Sequence, residues 1–209
     1  MRNGGGANLP RLEVAIIGGG PAGVMTALSL KRARPDTNVH LIERLDDGKY
    51  PRYHKMCGEG ISRKGLDLLD IDYERLVIGN ISKAVEHWPG GIDIETPIDG
   101  LIIDRPGLLG VLTEEFRSRG GELIRGNLQD IDITRKGVRS RLSDGSTLTT
   151  DYLVGADGSR SVVREKIFGE QDIELIWTEQ YVLEGNASGN SMEFFYDERY
   201  KGGYRWSFP

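Results

Sequence analysis

Apolar residues fall along this chain in short runs whose period changes from one run to the next, and glycine marks most of the changes. Val14-Ala15-Ile16-Ile17 is a continuous apolar run, the pattern of a strand buried on both faces. It stops at Gly18-Gly19-Gly20-Pro21-Ala22-Gly23, after which Val24, Ala27 and Leu28 recur at helical spacing until Pro35 ends the pattern. A second apolar run, Val39-His40-Leu41-Ile42, closes on Glu43. This opening predicts a strand, a glycine turn, a helix and a second strand.

From Arg44 to Gly60 the pattern is polar and irregular, which predicts a long loop, and loops of that length in compact domains are usually functional. Ile61 to Asp70 predicts a short helix capped by Ser62, with Leu66 and Leu69 on one face. Ala84–Trp88, Ile92–Ile94 and Leu101–Ile103 then read as three strands, separated by turns at Pro89-Gly90-Gly91 and at Pro97 to Gly100. Asp104-Arg105-Pro106 opens a helix with Leu108, Leu112 and Phe116 on one face, and Gly120 closes it. Glu122 to Arg125 reads as a strand returning to the first sheet. Ile131–Ile133, Val138–Leu142 and Thr147–Thr149 alternate by twos and predict a meander, which feeds the strand Tyr152-Leu153-Val154. Ile173 to Leu183 and Met192 to Phe208 are rich in aromatic and β-branched residues and read as strands of a second sheet.

These elements give an α/β fold class: a Rossmann-like nucleotide-binding domain, with a parallel sheet and a β-meander crossover, plus the start of an antiparallel-sheet substrate domain. The expected divisions are a disordered tail over 1–10, the nucleotide-binding domain over 11–76 and 104–170, an antiparallel insertion over 77–103, and an incomplete cap over 171–209. The last residues, Tyr204 to Pro209, break off within an apolar strand, which reads as a cut end.

The glycine turn carries the first chemistry. Gly18 allows a tight turn, Gly20 removes the Cβ that would hold phosphates away, and Gly23 lets the helix pack closely on the strand. The N–H groups and dipole at the helix start then favour a pyrophosphate. Glu43 lies twenty residues after Gly23, where a carboxylate accepts ribose hydroxyls and repels a 2′-phosphate, so FAD or NAD is expected rather than NADP.

Composition narrows the rest. A formal charge of −5 and a pI near 5.3 argue against nucleic acid as a partner. One cysteine excludes an internal disulfide, and three scattered histidines offer no metal-ligand spacing. No apolar run is as long as a membrane span and residues 1–10 lack the apolar stretch of a signal peptide, so the cytoplasm is the default compartment, with contact at a membrane surface at most. Arg44, Lys49, Arg52 and Lys55 make the loop basic, which suits an anion or simply a solvated surface. Cys57 reads either as a reactive thiol in an electropositive loop or as a small buried hydrophobe. Asp157, at the carboxyl edge of the sheet, reads equally as a ligand contact or as an ordinary turn and helix cap.

With these pieces placed, the chain resembles FAD-dependent oxidoreductases of the p-hydroxybenzoate-hydroxylase type. Gly18 to Gly23 with Glu43, Asp104-Arg105, and Gly155-Ala156-Asp157-Gly158 with Ser161 and Arg164 carry that likeness. Within the superfamily it resembles the geranylgeranyl reductase family. Lys55-Met56-Cys57-Gly58-Glu59-Gly60-Ile61 looks like the family's Cys-Gly loop beside the flavin, and Tyr204-Arg205-Trp206-Ser207-Phe208-Pro209 matches its Y-x-W-x-F-P substrate motif. The likeness covers about the front half of the family and lacks its later Gly-Asp segment.

The resemblance implies FAD, contacted by Gly18, Gly20, Ala22, Gly23, Glu43, Arg44, Cys57, Gly58, Gly60, Arg105, Leu128 and Asp157. It implies hydride transfer from reduced flavin to carbon–carbon double bonds of a geranylgeranyl lipid, with Cys57 as proton donor. Tyr204, Trp206, Phe208 and Pro209 would wall the prenyl chain, and an electron donor that the motifs do not specify would reduce the flavin. A flavin monooxygenase of the aromatic hydroxylase kind, or a halogenase, shares every FAD motif and is opposed only by the Cys-Gly loop and the aromatic motif. A non-catalytic nucleotide-binding fragment is the third reading.

Overall fold

A computed structural model of the chain describes residues 11–169, 172–184 and 189–209, so the tail expected over 1–10 lies outside the described residues. The chain divides into two units: Met1–Asp47 with Leu109–Ile173, and Gly48–Leu108 with Glu174–Pro209.

The first unit is built on the continuous apolar runs. Strands β1 (Glu13–Ile17), β2 (Asn38–Glu43), β6 (Glu122–Arg125) and β10 (Tyr152–Gly155) form a parallel sheet in the order β10-β1-β2-β6. Val14 lies between Val39 and Tyr152 in the register. Because successive side chains of a strand point to opposite faces, β1 must be covered twice. Helix α1 (Pro21–Ala33) buries Val24, Ala27 and Leu28. On the other face, Ala15, Ile17 and Ile42 join Leu128 and Leu142 of the meander β7 (Leu128–Thr134), β8 (Gly137–Leu142) and β9 (Thr147–Thr150), together with Val163 of helix α5 (Val162–Phe168).

Helix α4 (Arg105–Ser118) is tied to α1 by a bidentate pair, Arg32 Nε to Glu115 Oε1 at 2.9 Å and Nη2 to Oε2 at 2.7 Å. The Arg32 guanidinium first, and Arg119 after it, hold the Glu115 carboxyl below its ordinary pKa. A depressed carboxyl stabilises the fold above its unfolded pKa, and that contribution is lost as pH falls through the folded pKa. Glu115→Gln should therefore lower stability by about 1 kcal/mol at neutral pH. The difference should fade as wild type and variant are compared by thermal melts at progressively lower, acidic pH.

The second unit is an antiparallel-dominated sheet in the order β12-β11-β4-β5-β3. Its strands are β3 (Gly60–Ser62), β4 (Val77–Trp88), β5 (Ile92–Ile103), β11 (Ser191–Phe195) and β12 (Arg205–Ser207), with β11 running parallel to β4. Helices α2 (Lys49–His54) and α3 (Arg63–Asp67) and a 3-10 turn at Glu74–Leu76 complete it, and Ser62 Oγ accepts the Gly65 N–H at α3 as its sequence position predicts.

Three sequence expectations change here. The loop from Arg44 to Gly60 contains helix α2, where the Tyr50 and His54 rings meet one turn apart, tilted at 58° with centroids 4.4 Å from each other. The three strands read over 84–103 are two twelve-residue strands, and Pro97 lies within β5. It is tolerated because β3 pairs with β5 only at Gly100 to Ile102, leaving Pro97 without a ladder partner on that side, and a bulge opposite it shifts the register between Ile81 and Lys83. Residues 172–184 form neither helix nor strand, and Ile176, Trp177, Val182 and Leu183 are exposed. The second unit begins at Gly48 and includes β3, which pairs with β5.

Candidate functional site

In the first unit the glycine turn has the geometry its spacing implies. Gly18 has φ +103°, and a Cβ there would lie 2.3 Å from the Ala156 carbonyl oxygen. A Cβ on Gly23 would lie 1.7 Å from the Gly18 carbonyl oxygen, so helix and strand approach to a distance only glycine permits. Helix α1 begins at Gly20, which has no side chain to cap it; Pro21 opens the first turn and no acidic residue lies there. This uncapped, glycine-lined helix start fits a pyrophosphate. Ala22 lies in the first turn, and Arg44 is exposed just after β2.

Glu43 is buried at the end of β2 and spends both carboxylate oxygens on protein: Oε2 accepts the Gly19 N–H at 2.7 Å and Oε1 the Leu45 N–H at 2.6 Å. It therefore shapes the turn itself. Each oxygen retains a second lone pair, which keeps ribose hydroxyls compatible with the site. Asp157 follows β10 beside Gly18, and its carboxylate caps helix α5, accepting from Ser161 Oγ at 2.5 Å and from the Val163 N–H at 3.1 Å. Of its two sequence readings, the cap is the one its hydrogen bonds occupy. Leu128 is a core side chain, 3% exposed, leaving only its backbone for a ligand. A cavity of about 480 Å³ in this unit, lined by Tyr152, Ile167 and Phe168 among others, involves neither the glycine turn nor Glu43.

The second unit brings together the two stretches that carry the family resemblance. Gly58, with φ +72°, sits under the terminal aromatic residues: a Cβ there would lie 2.5 Å from Phe208 Cδ2 and 3.0 Å from Trp206 Nε1. Gly60 is as tightly covered, a Cβ falling 2.2 Å from Met192 Cε. Tyr204, Trp206 and Phe208 share one face of β12 and its flanks by the period of two, and they form a continuous cluster with Phe194 of β11. Phe194 meets Phe208 edge to face at 5.6 Å. Pro209 is half-buried at the end of this run. The opposite face is separate: Arg205 lies over the Phe195 ring at 4.8 Å and Phe195 stacks on His87.

Cys57 is exposed, which removes the buried reading. Arg105 Nη1 approaches its sulfur to 2.6 Å and Arg105 Nε donates to the His54 carbonyl at 2.5 Å. The loop is pinned further by Gln180, whose Oε1 accepts the Gly58 N–H at 3.0 Å and whose Nε2 donates to the Lys55 carbonyl at 3.4 Å. Sequence reasoning missed Gln180, which is more than a hundred residues from its partners and carries no local signal. It also missed Glu59, a buried carboxyl with a left-handed backbone, for which the flanking glycines were the only cue.

A family model for pyridine nucleotide-disulphide oxidoreductases matches residues 12–185. Among curated relatives, digeranylgeranylglycerophospholipid reductase 2 of Methanopyrus kandleri is 26% identical over 94% of this chain and 51% of its own length. The 6-hydroxy-3-succinoylpyridine 3-monooxygenase of Pseudomonas putida is 29% identical over 81% of this chain and 47% of its own. A solved geranylgeranyl bacteriochlorophyll reductase-like protein of Thermoplasma acidophilum superposes with a TM-score of 0.74 at 17% identity, covering 95% of this chain and 53% of that one; it shares the fold. The chain thus spans about half the length of the relatives it matches, and the likeness to geranylgeranyl reductases is borne out.

Proposed function

This chain belongs to the pyridine nucleotide-disulphide oxidoreductase family, and from that premise we propose that the whole protein is an FAD-dependent reductase that saturates carbon–carbon double bonds of geranylgeranyl chains on a lipid or related isoprenoid. The observation that carries the reading is the packing of Gly58 and Gly60 under Trp206, Phe208 and Met192, which joins the Cys-Gly loop to an aromatic cluster suited to a polyisoprenoid. Relatives aligned over nearly the whole chain are named for reduction of digeranylgeranylglycerophospholipid and geranylgeranyl diphosphate, which supports the same substrate class.

The glycine turn, the uncapped start of α1 and Glu43 hold the ADP end of FAD. FAD, when bound and reduced, supplies the hydride. An isolated alkene has no carbonyl to polarise, so the neighbouring carbon must receive a proton, and a positioned donor is worth roughly 10²–10⁴ in rate. Cys57 is that donor: its thiol proton moves to carbon, and the Arg105 guanidinium on the sulfur stabilises the thiolate left behind. The rings of Tyr204, Trp206, Phe208 and Phe194 exclude water and align the chain. A lipid of this class is met at a membrane surface, and among the described residues no helix is long and apolar enough to cross a membrane.

The second reading, an oxygen-using aromatic hydroxylase or halogenase, is favoured by the monooxygenase relative. Mass analysis separates the two. Full-length protein reduced with dithionite and given a geranylgeranyl lipid without oxygen should yield product heavier by pairs of hydrogens. Unchanged lipid, together with oxygen uptake and a hydroxylated product when aromatic compounds are supplied, would favour the hydroxylase.

A further inference from the structure

The sheet of the second unit has two unlike faces. On one, Lys83 Nζ meets Glu95 Oε1 at 2.9 Å and His87 Nδ1 meets Asp93 Oδ1 at 2.8 Å, a charged surface suited to water. The alternate residues of the same strands point the other way and are mostly apolar. There the register sets Phe194 beside Trp206. The Tyr196 N–H donates to the His87 carbonyl at 2.9 Å, which carries the pairing one residue past β11 and brings Tyr196 to Trp88. The rings then meet in sequence: Phe208 and Phe194 at 5.6 Å, Phe194 and Tyr204 at 5.9 Å, Tyr204 and Tyr196 at 5.7 Å, and Tyr196 stacked on Trp88 at 4.3 Å. The aromatic surface that begins over Gly58 and Gly60 thus runs on to the turn between β4 and β5. At that end it is open: Trp88 is 42% exposed and Tyr204 51%, and Ile94, opposite Glu86 on β5, is 46% exposed. Contiguous apolar surface of this kind marks a binding site.

We propose that this row of rings is the bed of the isoprenoid tail and that the Trp88–Tyr196 stack at its far end gauges the length of the chain. The inference rests on the reading of the protein as a geranylgeranyl reductase, and three features of the bed support it. It is continuous with the packing of Phe208 on Gly58, where the reacting double bond is placed. Its length fits: Met192, which covers Gly60, and Tyr196 are four residues apart along one strand, about 13 Å. An extended isoprene unit, four carbon–carbon bonds in zigzag, spans about 5 Å, so the bed takes about two to three units beyond the one at the Cys-Gly loop. Its charge sets the direction. Glu86 lies in this face with the Trp88 indole N–H directed at its Oε2 at 3.3 Å, and a carboxylate there repels an anionic head group and leaves the far end to the tail. The flat rings offer such a methyl-branched chain their faces.

The test is calorimetric titration of the oxidised full-length protein, without an electron donor, with geranyl diphosphate and geranylgeranyl diphosphate, which share a head group and differ in chain length. Wild type should bind the longer chain at least about tenfold more tightly, from the apolar area it covers. Trp88→Ala should weaken geranylgeranyl diphosphate about tenfold and leave geranyl diphosphate within about twofold. Ile94→Asn, which sets an amide at the side of the bed, should act in the same direction, and it decides alone should Trp88→Ala not fold. Lys83→Ala, on the charged face, should alter neither. Absence of a length preference in wild type, or equal weakening of both probes by Trp88→Ala, would overturn the proposal. So would an unchanged preference with a lower melting temperature or an altered oligomeric state, the result expected if other protein or a second copy covers these rings. Binding requires no reduction. A preference that moves with Trp88 in a protein that leaves geranylgeranyl lipid unreduced would sink the reductase reading and keep the bed, whereas reduction with an unmoved preference would sink the gauge alone.

Discussion

Gly23→Ala should lose FAD and melt several degrees below wild type, although alanine is the better helix former. In an open helical position the exchange would add about 1 kcal/mol. Here the new Cβ would meet the Gly18 carbonyl oxygen at 1.7 Å, and Gly18 cannot retreat because its own Cβ position already faces the Ala156 carbonyl at 2.3 Å. Overpacking of this kind against backbone costs about 3 kcal/mol, leaving a net loss of about 2 kcal/mol. Relief can come only by moving the start of α1 off the turn, which is the surface that holds the pyrophosphate, so FAD affinity should fall at least about tenfold. Gly110 in α4 provides the control: its Cβ would meet nothing within 4 Å, and Gly110→Ala should hold FAD normally and melt at or slightly above wild type. Thermal melts and flavin content of the two purified full-length variants check the pair. Similar behaviour in both would remove the steric account of the turn.

Cys57→Ala should retain FAD and turn over about 10²–10⁴ times more slowly, the usual worth of a positioned proton donor. The sulfur is exposed and touched by Arg105, so its loss leaves no cavity in the core and should scarcely change the melting temperature. The effect should appear in kcat, with KM for the lipid little altered, because in the proposed mechanism the thiol acts on the transition state while the aromatic rings hold the chain. Turnover within about twofold of wild type would remove Cys57 from the mechanism.

What the sequence disclosed was the local part. The strand, glycines and helix from Val14 to Leu28 were legible because each signal lies within one turn of the next, and because Gly18 and Gly23 have no substitute at such separations. The meander and the Ser62 cap were legible for the same reason. Helix α2 was not, since Lys-Tyr-Pro-Arg-Tyr-His has weak helix preference and its Tyr50–His54 ring contact exists only once the turn has formed. Residues 173–183 carry strand composition but lie outside every sheet, with Trp177 and Leu183 exposed, so composition without a partner strand misled. The Cys-Gly loop and the aromatic run were each legible as motifs, but their meeting at Gly58 spans 150 residues. The grip of Arg105 on Cys57 is likewise a product of topology that no local pattern announces.

The most direct measurement is anaerobic. Full-length protein reduced to bleach its flavin absorbance is mixed with a geranylgeranyl lipid in the absence of oxygen and of any other acceptor. Return of the oxidised flavin band, in step with saturation of one double bond per flavin, is the predicted result. A flavin that stays bleached with the lipid and regains its colour only when oxygen is admitted would contradict the account.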